Sequence, residues 1–218
     1  MKIQERHLWH GTSGLVLHWA ARYDVLAWLV LRGRERAFRE KVLRLARVEQ
    51  GESILDVGCG TGTLAIAAKR FAGPAANVCG VDPSREMIAR ATKKARKAGV
   101  DVTFQSGIAE SRPFPDSQID VVLVTLVLHH LPRKTRQEFA AEIRRVLKPG
   151  GRVLVVDFGA AEKKRKGLLS HLHRHGHVKL DEITALLNDA GLKLVEVGEV
   201  GILGLNFVLA GLGPKPNR

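Results

Sequence analysis

Short apolar segments alternate with amphipathic segments from residue 52 onward, and this alternation restricts the fold more than any other feature. The apolar segments have the length of buried strands, and the segments between them have helical spacing. The predicted strands are Ser53–Val57, Asn77–Val81, Val102–Gln105, Ile119–Leu123, Arg152–Asp157, Lys193–Val197 and Asn206–Ala210, and the predicted helices are Leu64–Phe71, Arg85–Ala98, Thr135–Leu147 and Asp181–Ala190. This order predicts an α/β protein with a mostly parallel sheet covered by helices on both faces. The two consecutive strands at the end predict a hairpin at one sheet edge.

The first 50 residues have a different pattern and carry the densest positive charge. Residues 15–31 and 35–48 are predicted to form two helices separated by Arg32-Gly33-Arg34. We therefore divide the chain into an N-terminal helical segment over residues 1–50 and one domain over residues 51–218, with an insert near residues 158–180. A length of 218 residues fits one domain with modest additions.

Composition excludes several classes of protein. Hydrophobic residues make up 45% of the chain and charged residues 26%, which excludes a disordered or collagen-like chain. Cys59 and Cys79 form no CxxC pair, so neither a disulfide framework nor a Cys-rich zinc site is expected. No stretch reaches the roughly 20 apolar residues of a membrane-spanning helix. We therefore expect a cytoplasmic protein with reduced thiols.

A glycine-rich run, Ile54-Leu55-Asp56-Val57-Gly58-Cys59-Gly60-Thr61-Gly62, joins the first strand of this domain to a helix. Glycines there allow a sharp turn and a close approach of a ligand to the backbone. A dinucleotide fingerprint would have Gly or Ala where Thr63 stands, and no Gly-Lys-Ser/Thr is present to form a phosphate-binding P-loop. Asp82 ends the next strand, where a carboxylate can accept hydrogen bonds from ribose hydroxyls. Ser84 can cap the following helix, which leaves Asp82 for the ligand.

Several further motifs accompany the glycine run. They are Val81-Asp82-Pro83-Ser84 with Met87, Pro113–Val122, Leu126-Val127-Leu128-His129-His130-Leu131 and Arg145–Gly151. In this combination the chain resembles the class I S-adenosylmethionine-dependent methyltransferases, and most closely their ubiquinone/menaquinone-biosynthesis and phospholipid N-methyltransferase group, which often carries a Tyr-Asp such as Tyr23-Asp24. The resemblance implies a Rossmann-like three-layer sandwich with a seven-stranded sheet, an N-terminal helical lid and S-adenosyl-L-methionine as the cofactor.

The resemblance also implies roles for single residues. Gly58, Gly60 and Gly62, with Cys59 between them, would give backbone access to the methionine moiety and the ribose. Asp56 would orient the loop, and Asp82 would bind the ribose diol. The adenine would be flanked by Pro83, Ser84 and Met87, and Thr125 and Leu126 would line the cofactor after the fourth strand. One departure is Ser106-Gly107-Ile108-Ala109, where the family has Gly-Asp-Ala. Adenine would then contact backbone groups near Gly107 and apolar atoms of Ile108 and Ala109, with weaker or less base-selective binding.

Methyl transfer from a sulfonium is an in-line displacement, so catalysis requires mainly proximity and alignment. A base is needed only if the acceptor loses a proton. His129, His130, Tyr23 and Asp157 are the candidates for that base, because the fold brings them to the carboxyl ends of the strands or above them. The alternative is that the His129-His130 pair only caps and packs.

Tryptophans at positions 9, 19 and 28, with apolar residues beside an Arg-rich helix, are typical of a lid or of a helix lying in a membrane interface. They favour a small hydrophobic or lipid-like acceptor, with peripheral association at an anionic membrane.

The net charge of +13 leaves an RNA methyltransferase as an alternative. Against it, aromatic residues make up only 5% of the chain, and no RNA-binding module or Asn/Asp-Pro-Pro-Tyr/Phe motif is present. A second alternative is a non-catalytic S-adenosylmethionine-binding domain, for which Ile108 is the only support.

Histidines alternate at positions 171, 173, 175 and 177 behind a basic run. Alternate side chains of a strand share a face, but Gly176 interrupts the segment and no acidic or cysteine partner is close in sequence. No metal site is therefore predicted. The segment either binds a phosphate or carboxylate of the acceptor or forms a solvated loop.

Overall fold

The computed structural model describes residues 35–107, 114–159, 178–202 and 204–214. In chain order the elements are α1 (Glu35–Leu45), β1 (Ser53–Val57), α2 (Thr63–Ala72), β2 (Asn77–Asp82), α3 (Arg85–Ala98), β3 (Thr103–Ser106), β4 (Ile119–Thr125), a 3-10 turn (Leu128–His130), α4 (Arg133–Val146), β5 (Leu147–Phe158), α5 (Leu180–Asp189), β6 (Lys193–Glu199) and β7 (Leu205–Gly211). Outside the described residues lie the predicted helix over 15–31, Tyr23, Ile108, Ala109 and most of the predicted insert.

The strands form one sheet in the order β3-β2-β1-β4-β5-β7-β6. The first five strands of that order are parallel, whereas β7 pairs antiparallel with both β5 and β6. The seven-stranded, mostly parallel sheet with a C-terminal hairpin is thus confirmed. Because β1 lies between β2 and β4, the chain runs from β1 through β2 to β3 at one edge of the sheet and then returns to the other side of β1 at β4. Open α/β sheets bind ligands in the crevice at such a switch point, at the carboxyl ends of the strands.

Two apolar clusters cover the two faces of the sheet, as alternation along each strand requires. Ile54 of β1 faces the cluster that includes Phe38 and Val42 of α1 and the alanines of α2. Leu55, its neighbour, faces the other cluster with Phe139 of α4 and residues of α5. Burying one such side chain contributes roughly 1.5–3 kcal/mol. Packing of the two clusters on both faces therefore holds the strands, and with them the polar side chains near the strand ends, in place.

The end of α1 is attached to β5 by one arginine. The Arg152 guanidinium donates to the Ala46 carbonyl at 2.7 Å, to the Arg47 carbonyl, and to both carboxylate oxygens of Glu52 at 2.8 Å. Helix α1 ends at Leu45 and not at Val48 as predicted, because the chain turns at Arg47, where φ is 53°. The charged contact satisfies carbonyls that a helix end leaves without partners.

The start of β5 differs from the prediction. Helix α4 ends at Val146 and the strand begins at Leu147, which pairs with Ile119, whereas a strand from Arg152 was expected. The register between β4 and β5 then shifts, so that residues 148–151 form an irregularity beside Asp120. A Cβ on Gly151 would lie 3.1 Å from the carbonyl oxygens of Ile119 and Asp120, so only glycine fits there without displacing its neighbours. The Lys-Pro-Gly-Gly run therefore follows the end of the helix and interrupts a strand that has already begun at Leu147.

The described ranges contain neither a membrane-spanning helix nor a cluster of metal ligands. None of the helices placed there has the length and apolarity needed to cross a membrane. In the same ranges no three His, Cys, Asp or Glu side chains are grouped so that they could hold a metal ion.

Candidate active site

The glycine loop after β1 is held tightly against its surroundings. Gly58 has φ 69° and Gly62 has φ 75°, a left-handed conformation that glycine adopts most readily. A Cβ on Gly58 would collide with the Val127 side chain, and one on Gly62 would lie 2.5 Å from the Phe104 ring and 2.7 Å from Ala91 Cβ. The loop therefore contacts both the segment after β4 and the helix and strand on its other side.

Asp82, at the end of β2, holds the middle of this loop. Its Oδ2 accepts the Gly60 N–H at 2.9 Å and its Oδ1 accepts the Ser84 N–H at 2.9 Å. Burial raises the pKa of Asp82, and these two hydrogen bonds oppose the rise. Each carboxylate oxygen can accept two hydrogen bonds, so both retain capacity for a hydroxyl. We expected the Asp82 carboxylate to be left entirely to the ligand, but it already accepts two backbone hydrogen bonds. It can still bind a diol.

The residues around Asp82 complete the β2 side of the site. Ser84 Oγ accepts the Met87 N–H at 3.3 Å and caps α3, as expected. Pro83 lies between Asp82 and Ser84, and Met87 is buried. The Gly107 N–H donates to the Asp82 carbonyl at 3.1 Å, which brings the end of β3 to the same edge.

Asp56 lies beneath the glycine loop and is almost fully enclosed, with 2% of its surface exposed. Its carboxyl group accepts the Ala65 N–H, which supplies an N-terminal cap for α2 because Gly62 has no side chain to do so. Burial raises the pKa of Asp56 to about 8; the Ala65 hydrogen bond lowers it, and the charge of Asp82 raises it further. The second oxygen, Oδ2, has no hydrogen-bond partner among the described residues.

Cys59 supports the loop through its backbone N–H and through a long hydrogen bond from its thiol to the Gly60 carbonyl, with 3.8 Å between sulfur and oxygen. Its N–H donates to the Val81 carbonyl at 3.0 Å, and its Sγ packs so close to Gly80 that a Cβ there would lie 2.9 Å away. Burial raises the pKa of the thiol. Cys59 is therefore a packing residue within the loop.

Lys94 is a contact to the glycine loop that the sequence analysis missed. Its Nζ donates to Thr61 Oγ1 at 2.7 Å and to Thr63 Oγ1 at 3.0 Å, linking α3 to the start of α2. In the sequence Lys94 is one member of the basic run Lys93-Lys94-Ala95-Arg96-Lys97 and carries no local mark of this role. Only the packing of α3 against α2 distinguishes it.

The segment after β4 turns sharply over the glycine loop. Leu126 has φ 59°, a rare conformation for a non-glycine residue that costs of order 1–3 kcal/mol and is concentrated at functional sites. Its N–H donates to the Val156 carbonyl at 2.8 Å. Thr125 Oγ1, just before the turn, is buried with no hydrogen-bond partner within the described ranges.

A histidine and an aspartate meet where this segment passes the end of β5. His129 Nδ1 lies 2.7 Å from Asp157 Oδ1, and the His129 N–H donates to Asp157 Oδ2 at 3.2 Å. The side chain of His129 is 8% exposed and that of Asp157 is fully buried. The His130 ring lies 3.9 Å from the His129 ring. Three of the four candidate bases are thus brought together, and the fourth, Tyr23, lies outside the described residues.

These residues fit an adenosyl sulfonium. Asp56 Oδ2 and Thr125 Oγ1 are buried oxygens that have no hydrogen-bond partner in the part of the chain that the structure describes, and they lie near the ends of the adjacent strands β1 and β4. Oxygen acceptors suit a cationic ligand that carries an ammonium group. Asp82 has acceptor capacity for a ribose, and the three glycines of the loop have no side chain that would block a close approach to the backbone.

Comparison with known proteins agrees with this geometry. Residues 54–151 match a family described as a methyltransferase domain. A SAM-dependent methyltransferase from Aquifex aeolicus has a similar structure, with a TM-score of 0.72, 26% sequence identity, and coverage of 87% of this chain and 97% of that one.

Two curated relatives are ubiquinone/menaquinone biosynthesis C-methyltransferases UbiE. The one from Bordetella avium is 37% identical over 66% of this chain and 56% of its own length, and the one from Ralstonia nicotianae is 35% identical over 72% of this chain and 64% of its own. The matches thus span less than two thirds of these relatives. The predicted resemblance and cofactor are confirmed: the chain resembles the class I S-adenosylmethionine-dependent methyltransferases and, among them, the UbiE group.

Proposed function

We propose that this protein transfers a methyl group from S-adenosylmethionine to a carbon atom of a small hydrophobic, quinone-like acceptor. The observation that supports the proposal is that the Val127 side chain packs against Gly58 of the glycine loop, only two residues before His129 in the chain. The Bordetella avium and Ralstonia nicotianae relatives, which are named C-methyltransferases of ubiquinone and menaquinone biosynthesis, support the acceptor class.

The cofactor would be held by residues at four strand ends. When bound, it supplies an electrophilic methyl group on a sulfonium. Asp82 would accept the ribose hydroxyls, and Asp56 and Thr125 would provide acceptors near the methionine end. The remaining contacts would come from the backbone of Gly58, Cys59, Gly60 and Gly62, from Pro83, Ser84 and Met87, from Gly107, Ile108 and Ala109, and from Leu126.

A base is required for this acceptor class, because a hydroquinone ring carbon becomes a strong nucleophile when a neighbouring hydroxyl loses its proton. His129 would accept that proton, a contribution of about 10²–10⁴-fold in rate. Alignment of the two reactants would contribute up to ~7–11 kcal/mol. His130 and Tyr23 are the other candidates for contact with the acceptor.

The N-terminal segment and the insert would control how the acceptor reaches the site. Residues 1–50 would act as an arm and lid over the domain formed by residues 51–218, and the insert near residues 158–180 would contact the acceptor. The net charge of +13 and the three N-terminal tryptophans support peripheral binding to an anionic membrane, where a hydrophobic acceptor would partition. A cytoplasmic location with access to that membrane follows from this proposal.

The test is a transfer assay with methyl-labelled S-adenosylmethionine, run separately on short-chain demethylated hydroquinones, a lipid extract and total RNA. We expect label in the hydroquinones, on carbon. His129→Asn should abolish most of it, and Asp189→Asn, an exposed change on the outer helix α5, should not. Label in RNA alone would replace the proposal with an RNA methyltransferase, and no label with bound cofactor would favour a binding domain.

A further inference from the structure

Asp157 is a buried carboxylate whose two oxygens each receive at least one hydrogen-bond donor. Oδ1 accepts the Phe158 N–H at 2.7 Å and is 2.7 Å from His129 Nδ1, and Oδ2 accepts the His129 N–H at 3.2 Å. A fully buried carboxylate is stable only with such donors. Asp157 is therefore unsuited to be the base itself, although its position at a strand end made it a candidate.

The hydrogen bonds of Asp157 determine which nitrogen of His129 carries the proton. An ionised carboxylate can only accept hydrogen bonds, and each oxygen of Asp157 already accepts one backbone N–H. The short contact to Oδ1 then requires a proton on Nδ1. In the neutral imidazole the lone pair is consequently on Nε2, the nitrogen directed away from Asp157.

The orientation of the imidazole is also fixed. Phe158, next to Asp157 in β5, presents its ring edge to His129 with centroids 5.3 Å apart. Arg136 of α4 donates through Nε to the carbonyls of Leu128 and Leu131 at 3.1 and 2.9 Å, which holds the 3-10 turn that carries His129. Among the described residues, His130 and Arg136 are the titratable and charged groups beside the pair, and Arg136 interacts electrostatically with Asp157.

We propose that Asp157 is a positioning residue that holds His129 as the Nδ1–H tautomer, with Nε2 as the base for an acceptor hydroxyl. This proposal rests on the proposed function. In the step, the acceptor O–H bond breaks and its proton moves to Nε2. The ring carbon forms the new bond to the methyl group as the methyl–sulfur bond breaks with its electron pair on sulfur. The hydrogen on that ring carbon then leaves as a proton, which restores the aromatic ring.

The first test is independent of activity. Histidine-specific ¹⁵N labelling of the full chain, with the His129 signals assigned by their loss in His129→Asn, reports the tautomer by NMR at a pH where the ring is neutral. We expect a protonated Nδ1 and an unprotonated Nε2. A protonated Nε2 in the native protein would overturn the proposal.

The second test is kinetic and uses two variants. Asp157→Asn should lower kcat by about 10²-fold at neutral pH, with the acceptor KM and the S-adenosylhomocysteine affinity little changed. The kcat of this variant should rise as the pH approaches the pKa of the acceptor hydroxyl, because solvent then removes the proton. Hydroquinones with a more acidic hydroxyl should restore activity for the same reason. His129→Asn retains an N–H donor for Asp157 and should show the same lowered kcat and the same pH dependence. It therefore replaces Asp157→Asn in this test if Asp157→Asn does not fold.

The outcomes separate this proposal from the function on which it rests. If the wild type methylates hydroquinones and folded Asp157→Asn has unchanged kcat, the positioning role is wrong and the function stands. If the wild type binds the cofactor but methylates no hydroquinone, the proposed function fails and the role of His129 fails with it. Asp189→Asn is the matched control and should leave kcat and its pH profile unchanged.

Discussion

Three aspartates at the ends of neighbouring strands differ in what surrounds them. Asp56 is enclosed and receives the Ala65 N–H, Asp82 receives the Gly60 and Ser84 N–H groups, and Asp157 receives an imidazole and two N–H groups. The number of donors determines how well a buried carboxylate retains its charge. Burial raises the pKa of Asp56 to about 8, and its one backbone hydrogen bond only partly opposes that rise.

Asp56 should therefore make stability fall as the pH rises. In the folded protein its carboxyl keeps its proton up to about pH 8, whereas its ordinary pKa is 3.8, so the folded state binds more protons between these values. Between pH 4 and 8 this residue should remove up to about 1.4 kcal/mol of unfolding free energy per pH unit. The check is urea unfolding of the wild type and Asp56→Asn at pH 5, 7 and 9.

Asp56→Asn is the appropriate comparison because its amide oxygen can still accept the Ala65 N–H, while it cannot ionise. The wild type should lose stability relative to this variant from pH 5 to 9. A constant difference between the two proteins over that range would show that Asp56 is already charged in the folded state.

Lys94 should affect cofactor binding although it is outside the predicted site. Lys94→Met removes the donors to Thr61 and Thr63, so the loop between β1 and α2 loses its link to α3. We expect S-adenosylhomocysteine affinity to fall about tenfold, since hydrogen bonds to charged groups contribute ~1.5–3 kcal/mol. Calorimetric titration measures this, with the exposed neighbour Lys93→Met as control. Equal affinities of the two variants would remove Lys94 from the site.

At the scale of elements, the glycine loop and the turn after β4 form one unit because Gly58 packs against Val127. Gly58→Ala should destabilise the protein and weaken cofactor binding, since its Cβ collides with Val127 in addition to its left-handed strain. Gly99→Ala supplies the control: φ is 65° there, but no atom lies within 4 Å of the added Cβ.

The left-handed conformation alone costs roughly 1–2 kcal/mol, which should be the whole effect of Gly99→Ala. Gly58→Ala should cost more in urea unfolding, and adding Val127→Ala should recover part of the difference. If the two glycine variants lose the same stability, the loop and the turn are not in tight contact.

The sequence predicted the elements that depend on local patterns. Strand Ser53–Val57 and helix Arg85–Ala98 have the predicted limits, because a short apolar run and a Ser84 cap with Gly99 at the end define them locally. The early start of β5 depends on pairing with Ile119, which no local pattern shows. Tertiary packing likewise determines the left-handed conformation of Leu126, the hydrogen bonds of Lys94 to Thr61 and Thr63, and the contact of His129 with Asp157.

At the scale of the whole molecule, the net charge of +13 should govern association with membranes. We expect the full chain to float with vesicles that contain anionic phospholipid at about 10 mM salt and to be released at about 1 M, where charges are screened over ~3 Å. Neutral vesicles are the control. Absence of anionic vesicle binding at low salt would contradict the membrane proposal and leave the enzymatic one intact.

The central claim is that the glycine loop and Asp82 hold an adenosyl cofactor, and calorimetric titration of S-adenosylhomocysteine into the full chain tests it most directly. The wild type should bind one equivalent, and Asp82→Ala should weaken binding by about 10²-fold, because hydrogen bonds to the carboxylate are lost. Asp101→Ala, an exposed change just before β3, should bind like the wild type. No binding by the wild type, or equal affinity of Asp82→Ala and the wild type, would contradict the account.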